Sequence, residues 1–383
     1  MFQRILTHKA KNLLEKYPIL TVTGPRQSGK TTLIKSITEH LDYVNLEQPD
    51  IRTFAENDPK GFIENYLKGA IFDEIQNVPE FFSYLQVISD EHPNSKFILS
   101  GSQNFLLMQS VSQSLAGRTA ILNLLPFSYQ EIKNYTHKSL WELIYTGFYP
   151  RIYDKNIPAV DFYPYYIQTY LERDIRQLIN VMDLNSFNTF LKLCAGRIGQ
   201  LINVSSLAND TGISPNTAKK WLSALETSYV IYRLKPHHNN FNKRLTKQSK
   251  LYFYDTGLAC SLLQIGSAEQ LKTHYLKGGL FENFVITELI KKSTNKGKQH
   301  SLYFWRDHKG KEIDCIIDQG NNVTALEIKS GSTFSQSYFD NLKFYKSLAK
   351  SKLKKSIVVY TGVNHIKTSD GELINWQNID DLN

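Results

Sequence analysis

Short apolar runs that stop at small or acidic residues mark the first third of the chain. Residues 19–23, Ile-Leu-Thr-Val-Thr, are apolar and β-branched like a buried parallel strand, and residues 32–37 have helical spacing. Residues 69–74 and 96–102 repeat the strand pattern, the first ending in two acids and the second in small polar residues. This alternation predicts an α/β fold with a parallel sheet over residues 1–149.

The middle of the chain has the pattern of helices followed by a hairpin. Residues 150–199 predict a mostly helical connector, and two short helices follow, at 204–211 and from Ser214 onward. A strand and a basic loop come after them. In the second helix three apolar residues share one face, namely Ala218, Leu222 and Leu225. This order predicts a winged helix over residues 200–249.

The last third predicts another α/β unit. Residues 281–290 have the pattern of an amphipathic helix that carries Glu282 near its start. Three runs with strand character follow, at 301–306, 311–317 and 323–329. We therefore expect an α/β domain over residues 250–383.

Charge and cysteine content narrow the class of protein. The 383 residues carry a formal net charge of +9, and residues 201–250 hold eight Lys or Arg but only two acids. This excess indicates an anionic partner. The three cysteines lie far apart, which predicts reduced core thiols and neither a metal site nor a disulfide framework. With no long apolar stretch, the sequence predicts a cytoplasmic protein without a membrane segment.

Residues 24–31 read Gly-Pro-Arg-Gln-Ser-Gly-Lys-Thr, the phosphate-loop (Walker A) pattern GxxxxGK[ST] between a strand and a helix. Glycines let backbone N–H groups turn toward a phosphate, Lys30 supplies a charge to the β/γ oxygens, and the Thr31 hydroxyl is placed to hold Mg²⁺. The sequence thus predicts ATP and Mg²⁺ as cofactors. The expected ATP-binding residues are Gly24, Pro25, Arg26, Gln27, Ser28, Gly29, Lys30, Thr31, Thr32 and Ser102.

Two acids end the strand at 69–73. We expect Asp73 to contact Mg²⁺ through water and Glu74 to polarise the attacking water. The alternative is a strand that ends in an exposed acidic turn. Ser100 and Ser102 both follow a later strand, and the pattern does not decide which one is close to the γ-phosphate.

A second group of charged residues lies on the C-terminal strands. Glu327 and Lys329 share one strand face, and Asp314 comes from the neighbouring strand. We expect Asp314 and Glu327 to hold Mg²⁺ and Lys329 to orient or deprotonate water. The arrangement resembles the PD-(D/E)xK nuclease superfamily, whose restriction-endonuclease-like fold it implies. The alternative is a half-exposed strand with an ordinary ion pair.

The basic middle segment predicts contact with DNA. A winged helix places its second helix in the major groove and its loop on the phosphate backbone. The expected nucleic-acid contacts are Asn216, Lys219, Lys220, Lys243, Arg244 and Lys247. Winged helices also dock proteins, so a protein partner remains an alternative.

The order of these pieces resembles the bacterial and archaeal AAA-family ATP-binding proteins that end in a domain of unassigned role. The resemblance covers nearly the whole chain. It rests on the phosphate loop, the acidic strand, and the motifs at 99–102, 115–118, 125–131, 170–175, 250–258 and 279–283. It implies an ATPase core, a winged-helix-like middle and a nuclease-like C-terminal fold.

AAA enzymes usually complete their site with an arginine from a neighbouring subunit. Arg118 is the first candidate here as a catalytic residue, and Arg151 and Arg173 are the next. We therefore expect slow turnover, or turnover that depends on a second copy of the chain or on a partner protein.

Two functions remain open at this point. In the first, ATP binding controls a Mg²⁺-dependent nuclease that the winged helix delivers to DNA. In the second, the nuclease-like domain is catalytically silent, and the protein is an ATP-switched regulator that binds DNA or another protein.

Overall fold

A computed structural model describes residues 2–101, 114–171, 183–237 and 248–382. It contains a five-stranded sheet, a six-stranded sheet and a two-stranded hairpin, so the chain has a mixed α/β fold. Within these ranges no helix combines the length and the apolar character needed to cross a membrane.

The N-terminal sheet is parallel throughout and has the strand order β2-β3-β4-β1-β5. Its strands are β1 (Ile19–Thr23), β2 (Asp42–Asn45), β3 (Gly69–Asp73), β4 (Lys96–Gly101) and β5 (Thr119–Asn123). The predicted parallel sheet is confirmed.

Helices cover both faces of this sheet. Successive side chains of each strand point to opposite faces, and each face contributes to its own apolar core. Ile19 and Phe97 belong to one apolar cluster, while their neighbours Leu20 and Ile98 belong to the other. The surrounding helices are Leu6–Lys16, Lys30–Ile37, Pro49–Asn57, Pro59–Glu64 and Phe81–Glu91, with a 3₁₀ turn at Ile75–Asn77.

The middle of the chain is helical and ends in a hairpin. The hairpin pairs β6 (Ile231–Leu234) with β7 (Lys250–Phe253) in antiparallel fashion. The helices are Tyr129–Ile132, Leu140–Thr146, Pro150–Asp154, Ala159–Tyr166, Leu184–Ala195, Val204–Thr211 and Pro215–Thr227, with a π-helical segment at Ile167–Leu171.

The second helix of the predicted winged helix has the expected faces. It spans Pro215–Thr227, and Ser214 caps it by accepting the N–H of Thr217 at 3.1 Å. The apolar residues Ala218, Leu222 and Leu225 are buried. Asn216, Lys219 and Lys220 are exposed. The predicted contacts Lys243, Arg244 and Lys247 lie outside the described residues, and the winged helix itself stays a prediction.

The C-terminal sheet is mixed and has the order β12-β13-β11-β10-β9-β8. Its strands are β8 (Leu302–Arg306), β9 (Glu312–Asp318), β10 (Val323–Lys329), β11 (Leu353–Tyr360), β12 (Ile366–Thr368) and β13 (Gly371–Asn375). The helices of this part are Thr256–Leu262, Ala268–Thr273, Lys277–Thr294 and Asp340–Ala349, with 3₁₀ turns at Gln336–Phe339, Lys350–Lys352 and Trp376–Asp381. The three predicted strands and the helix that carries Glu282 are confirmed.

One apolar core joins the middle and the C-terminal part. It runs from Leu125 to Leu382, so residues that follow the first sheet pack against the end of the chain. The rings of Tyr129 and Trp376 lie 4.9 Å apart, and those of Phe148 and Phe284 lie 5.8 Å apart. The first sheet is therefore fixed to the C-terminal part through residues 125–149.

Candidate nucleotide-binding site and carboxylate cluster

The phosphate loop connects β1 to the helix Lys30–Ile37 and requires glycine at both ends. Gly24 has φ +151°, and a Cβ there would lie 2.1 Å from the carbonyl oxygen of Leu124. Gly29, the residue before the helix, has φ +90°. Any other residue at position 24 would collide with the backbone, so the loop follows the edge of the sheet closely.

Lys30 and Thr31 point into the predicted phosphate site. Lys30 is only 6% exposed, and its ammonium donates to the carbonyls of Gly24 (3.0 Å) and Pro25 (2.9 Å). The Thr31 hydroxyl donates to Oδ2 of Asp73 at 2.8 Å. The two side chains predicted to hold Mg²⁺ are thus in contact. The Ser28 hydroxyl is buried without a hydrogen-bond partner in the described structure, as a group that awaits a ligand would be. These residues fit Mg²⁺ and a nucleotide.

Three hydroxyl groups surround the Asp73 carboxylate. Besides Thr31, it accepts hydrogen bonds from Tyr43 (2.8 Å) and from Ser100. Burial and the adjacent Asp73 charge raise the pKa of Tyr43, which keeps its hydroxyl a donor. Of the two candidate serines, Ser100 touches this centre, whereas Ser102 lies outside the described residues. Sequence reasoning missed Tyr43 because a tyrosine on an exposed edge strand has no distinctive pattern.

Glu74 lies beside the loop in a left-handed backbone conformation with φ +55°. Its carboxylate accepts the side-chain N–H of Gln76 at 2.5 Å. A cavity of about 480 Å³ opens in front of it, a size suited to a small ligand. The predicted loop residues that line this cavity are Arg26, Gln27, Gly29, Lys30, Thr31 and Thr32. The downstream residues Phe127, Arg151 and Tyr170 line it as well.

Arg118 lies far from this cavity within its own chain. It precedes β5, and Thr119 pairs with Ile19 at the start of β1, whereas the phosphate loop follows the end of β1. Its guanidinium donates two hydrogen bonds of 2.8 Å to Asp90, which lower the pKa of that carboxyl group. Arg118 therefore does not reach the phosphate loop of its own chain, and its predicted role on a neighbouring subunit stays a prediction. Arg173 lies outside the described residues.

Arg4 donates a hydrogen bond to a backbone carbonyl of the phosphate loop, and no sequence pattern indicates this role. Its guanidinium donates to the carbonyls of Ser28 (2.8 Å) and Leu125 (2.7 Å) and to the carboxylate of Glu131 (2.9 Å). It also lies 4.8 Å from the ring centre of Phe127. The partners lie 24 to 127 residues away in the chain, so no local motif could show them.

The segment that Arg4 contacts continues to the C-terminal part. The N–H of Tyr129 donates to Glu288 at 2.7 Å, and Asn295 donates to the Ser128 hydroxyl at 3.3 Å. Glu288 belongs to the helix Lys277–Thr294, which also carries Glu282. A continuous set of hydrogen bonds therefore joins the phosphate loop to this helix.

The C-terminal charged residues come together in a cluster, as the sequence predicts. Lys329 contacts the Glu327 carboxylate and lies 3.7 Å from Asp314. Glu327 is only 1% exposed. The Asp314 oxygen atom that faces Lys329, Oδ2, also accepts the backbone N–H of Ile328 at 2.8 Å.

Lys250, the first residue of β7, enters the same cluster. Its ammonium lies 2.8 Å from Glu282, 2.5 Å from Glu312 and 3.9 Å from Asp314. Burial disfavours the charged form, but the attraction of these carboxylates outweighs it and raises the pKa of Lys250.

The predicted Mg²⁺ site at Asp314 and Glu327 does not fit this arrangement. Each of these carboxylates already faces a lysine ammonium. Across the described ranges, no three His, Cys, Asp or Glu side chains are arranged to hold a metal ion. Lys250 ends the basic segment 201–250, and that context favours an exposed charge over a partner for these carboxylates.

The phosphate loop, the parallel sheet and the Thr31–Asp73 contact define a P-loop nucleotide-binding domain. Residues 16–133 match a family model described as an AAA domain, which supports an AAA-family ATPase domain in this part of the chain. Residues 137–269 match a domain of unknown function (DUF8612), and residues 277–379 match another (DUF4143).

Similar proteins are known from several organisms. The chain is 29% identical over 373 residues to Uncharacterized protein Rv2008c of Mycobacterium tuberculosis, covering 94% of this chain and 80% of that protein. It is 22% identical over 344 residues to an uncharacterized protein of Haemophilus influenzae, covering 81% and 82%. Among solved structures, the Walker-type ATPase PABY2304 of Pyrococcus abyssi aligns with a TM-score of 0.41 and 16% identity, over 69% of this chain and 96% of that one.

Proposed function

We propose that this protein is an AAA-type ATPase whose nucleotide state controls nucleic-acid binding by residues 200–249. The observation that carries the ATPase part is the contact between Thr31 and Asp73 beneath the phosphate loop. It joins the end of β3 to the start of the helix Lys30–Ile37, where Mg²⁺ bound with ATP would neutralise the charge of the phosphates.

The chain's own residues have separate roles in this proposal. Lys30 and backbone N–H groups of the phosphate loop bind the phosphates, because a loop that leads into a helix N-terminus favours negative charge there. Glu74 orients the attacking water from the rim of the cavity. Ser100 and Tyr43 hold the Asp73 carboxylate in place through their hydrogen bonds.

Turnover is expected to depend on protein concentration. Of the candidate arginines, Arg151 lines the cavity of its own chain. Arg118, which lies near the other end of β1, would act only on the site of a neighbouring copy. Steady-state ATPase rates measured over a wide range of protein concentration should therefore rise per molecule as the protein assembles. A fast rate that is independent of concentration would contradict this expectation.

The proposed nucleic-acid surface is the exposed side of the helix Pro215–Thr227. Lys219 and Lys220 project from it, and its N-terminus is capped and exposed. The basic surface is smaller than the sequence predicts, because Arg233 is paired with Glu226 and Lys250 is buried. The expected contacts are accordingly few and electrostatic.

Replacing Lys219 and Lys220 together with alanine should weaken DNA binding and reduce its salt dependence. If each lysine neutralises one phosphate, the slope of log affinity against log salt should fall by about two. Binding of labelled duplex DNA at several salt concentrations, with and without ATP, measures both effects.

The matched control is the double change Lys354→Ala and Lys355→Ala. These lysines are also exposed and adjacent, but they lie on β11 at the C-terminal sheet. An equal loss of DNA affinity in both double variants would show that the helix Pro215–Thr227 is not the specific DNA-binding surface. An unchanged slope in the Lys219/Lys220 variant, with a protein captured by the same helix, would favour protein docking instead.

Whether the C-terminal part also cleaves nucleic acid depends on its carboxylate cluster. A Mg²⁺-dependent nuclease needs carboxylate oxygens that are open to the metal. The ion pairs of Lys250 and Lys329 favour the second hypothesis, in which this part does not cut.

A further inference from the structure

Lys250 lies at the meeting point of three carboxylates from two different elements. Glu312 and Asp314 project from the same face of β9, two residues apart, and Glu282 comes from the helix Lys277–Thr294. The Lys250 side chain is 3% exposed, so water does not compete for its ammonium. Tyr252, on the same strand, also donates to Glu282 at 2.6 Å.

We propose that the Lys250 ammonium is the resident cation of this cluster and excludes a divalent metal ion from it. Mg²⁺ requires oxygen ligands at about 2.0–2.1 Å in octahedral geometry. The Glu282 and Glu312 oxygens are instead spaced around an ammonium, at 2.8 and 2.5 Å. A divalent ion would have to displace a buried lysine or tolerate its charge at close range.

The surrounding charges support this assignment. Arg306 donates to the other oxygen of Glu312 at 2.9 Å, and Lys329 is paired with Glu327. The four carboxylates of the cluster thus face two lysines and one arginine, which leaves little negative charge to attract a metal ion.

The cluster also has a structural role. Lys250 is the first residue of β7. This strand pairs with β6, the strand that follows the helix Pro215–Thr227 in the chain. Its ion pairs therefore fasten the proposed nucleic-acid-binding segment to the C-terminal sheet. This role holds whether or not the protein hydrolyses ATP.

The test is a titration of the full-length, nucleotide-free protein with Mn²⁺. Wild type should show no binding that depends on Asp314, so wild type and Asp314→Asn should give the same isotherm. Lys250→Ala removes the ammonium and leaves three carboxylates facing one space. That variant should bind Mn²⁺ at least about tenfold more tightly than wild type.

Two control variants locate the effect. Lys329→Ala removes one positive charge from the same cluster but leaves Lys250 in place, and it should not gain this binding. Adding Glu312→Gln to Lys250→Ala should abolish the gain. Binding of Mn²⁺ by wild type that Asp314→Asn removes would overturn the proposal, and so would a folded Lys250→Ala variant without any gain. If Lys250→Ala does not fold, the Mn²⁺ isotherms of wild type and Asp314→Asn decide by themselves whether the proposal holds.

Discussion

Replacing Lys30 with alanine is expected to lower ATP turnover about 100- to 1,000-fold, the usual effect of removing a charged group that stabilises a transition state. The ammonium is buried in the loop and held by two backbone carbonyls, so it is already positioned before any nucleotide arrives. Lys155 also lines the cavity, but it lies outside the loop and is paired with Asp154 at 3.3 Å, so we do not expect it to replace Lys30. Titration with a fluorescent ATP analogue and measurement of phosphate release would separate binding from turnover.

Lys16→Ala is the matched control for this change. Lys16 ends the first helix and is exposed, so its loss should alter neither binding nor turnover. A Lys30→Ala variant that hydrolyses ATP at the wild-type rate would show that the phosphate site has been assigned to the wrong loop.

Replacing Arg4 with alanine is expected to destabilise the protein by about 3 kcal/mol, the lower end of the range for breaking a buried ion pair. The lower end applies because the Glu131 carboxylate would still accept hydrogen bonds from the N–H groups of Ile5 and Ser128, each at 2.9 Å. The change also removes the hydrogen bond to the Ser28 carbonyl in the phosphate loop. ATP affinity should therefore fall together with the free energy of unfolding. Urea unfolding and the ATP titration measure the two effects.

Arg4→Lys and Gln3→Ala make this result specific. Lysine keeps the charge but cannot donate in three directions from a planar group, so it should recover only part of the stability. Gln3 is exposed next to Arg4, and its loss should change little. If Arg4→Ala unfolds at the wild-type urea concentration, the contacts with Ser28 and Glu131 contribute no stability.

The features predicted correctly from the sequence are those encoded by neighbouring residues. The phosphate loop needs glycines at 24 and 29 within one turn, and β1 is recognisable from five consecutive residues. The faces of the helix Pro215–Thr227 follow from its own periodicity. Local patterns were therefore sufficient for these elements and for the phosphate loop.

The features that the sequence did not reveal depend on contacts between distant segments. Lys250 meets Glu282 across 32 residues, and Arg4 meets Glu131 across 127. The one available signal for the buried ion pair was Lys250 itself, which directly precedes the apolar run Leu-Tyr-Phe. A buried strand seldom begins with an unpaired charge. The sequence identified the carboxylates but not the ammonium that lies between them.

The position of Glu288 bears on how this chain can be divided. Its carboxylate is buried, with Lys291 at 2.9 Å on one oxygen and the N–H of Tyr129 on the other. A fragment that starts at residue 137, where the second matched region begins, would keep the acid and lose that N–H donor. The boundaries drawn by sequence similarity thus cut through contacts of the folded chain, and an exchange of one region between relatives should keep residues 125–131 together with the C-terminal part.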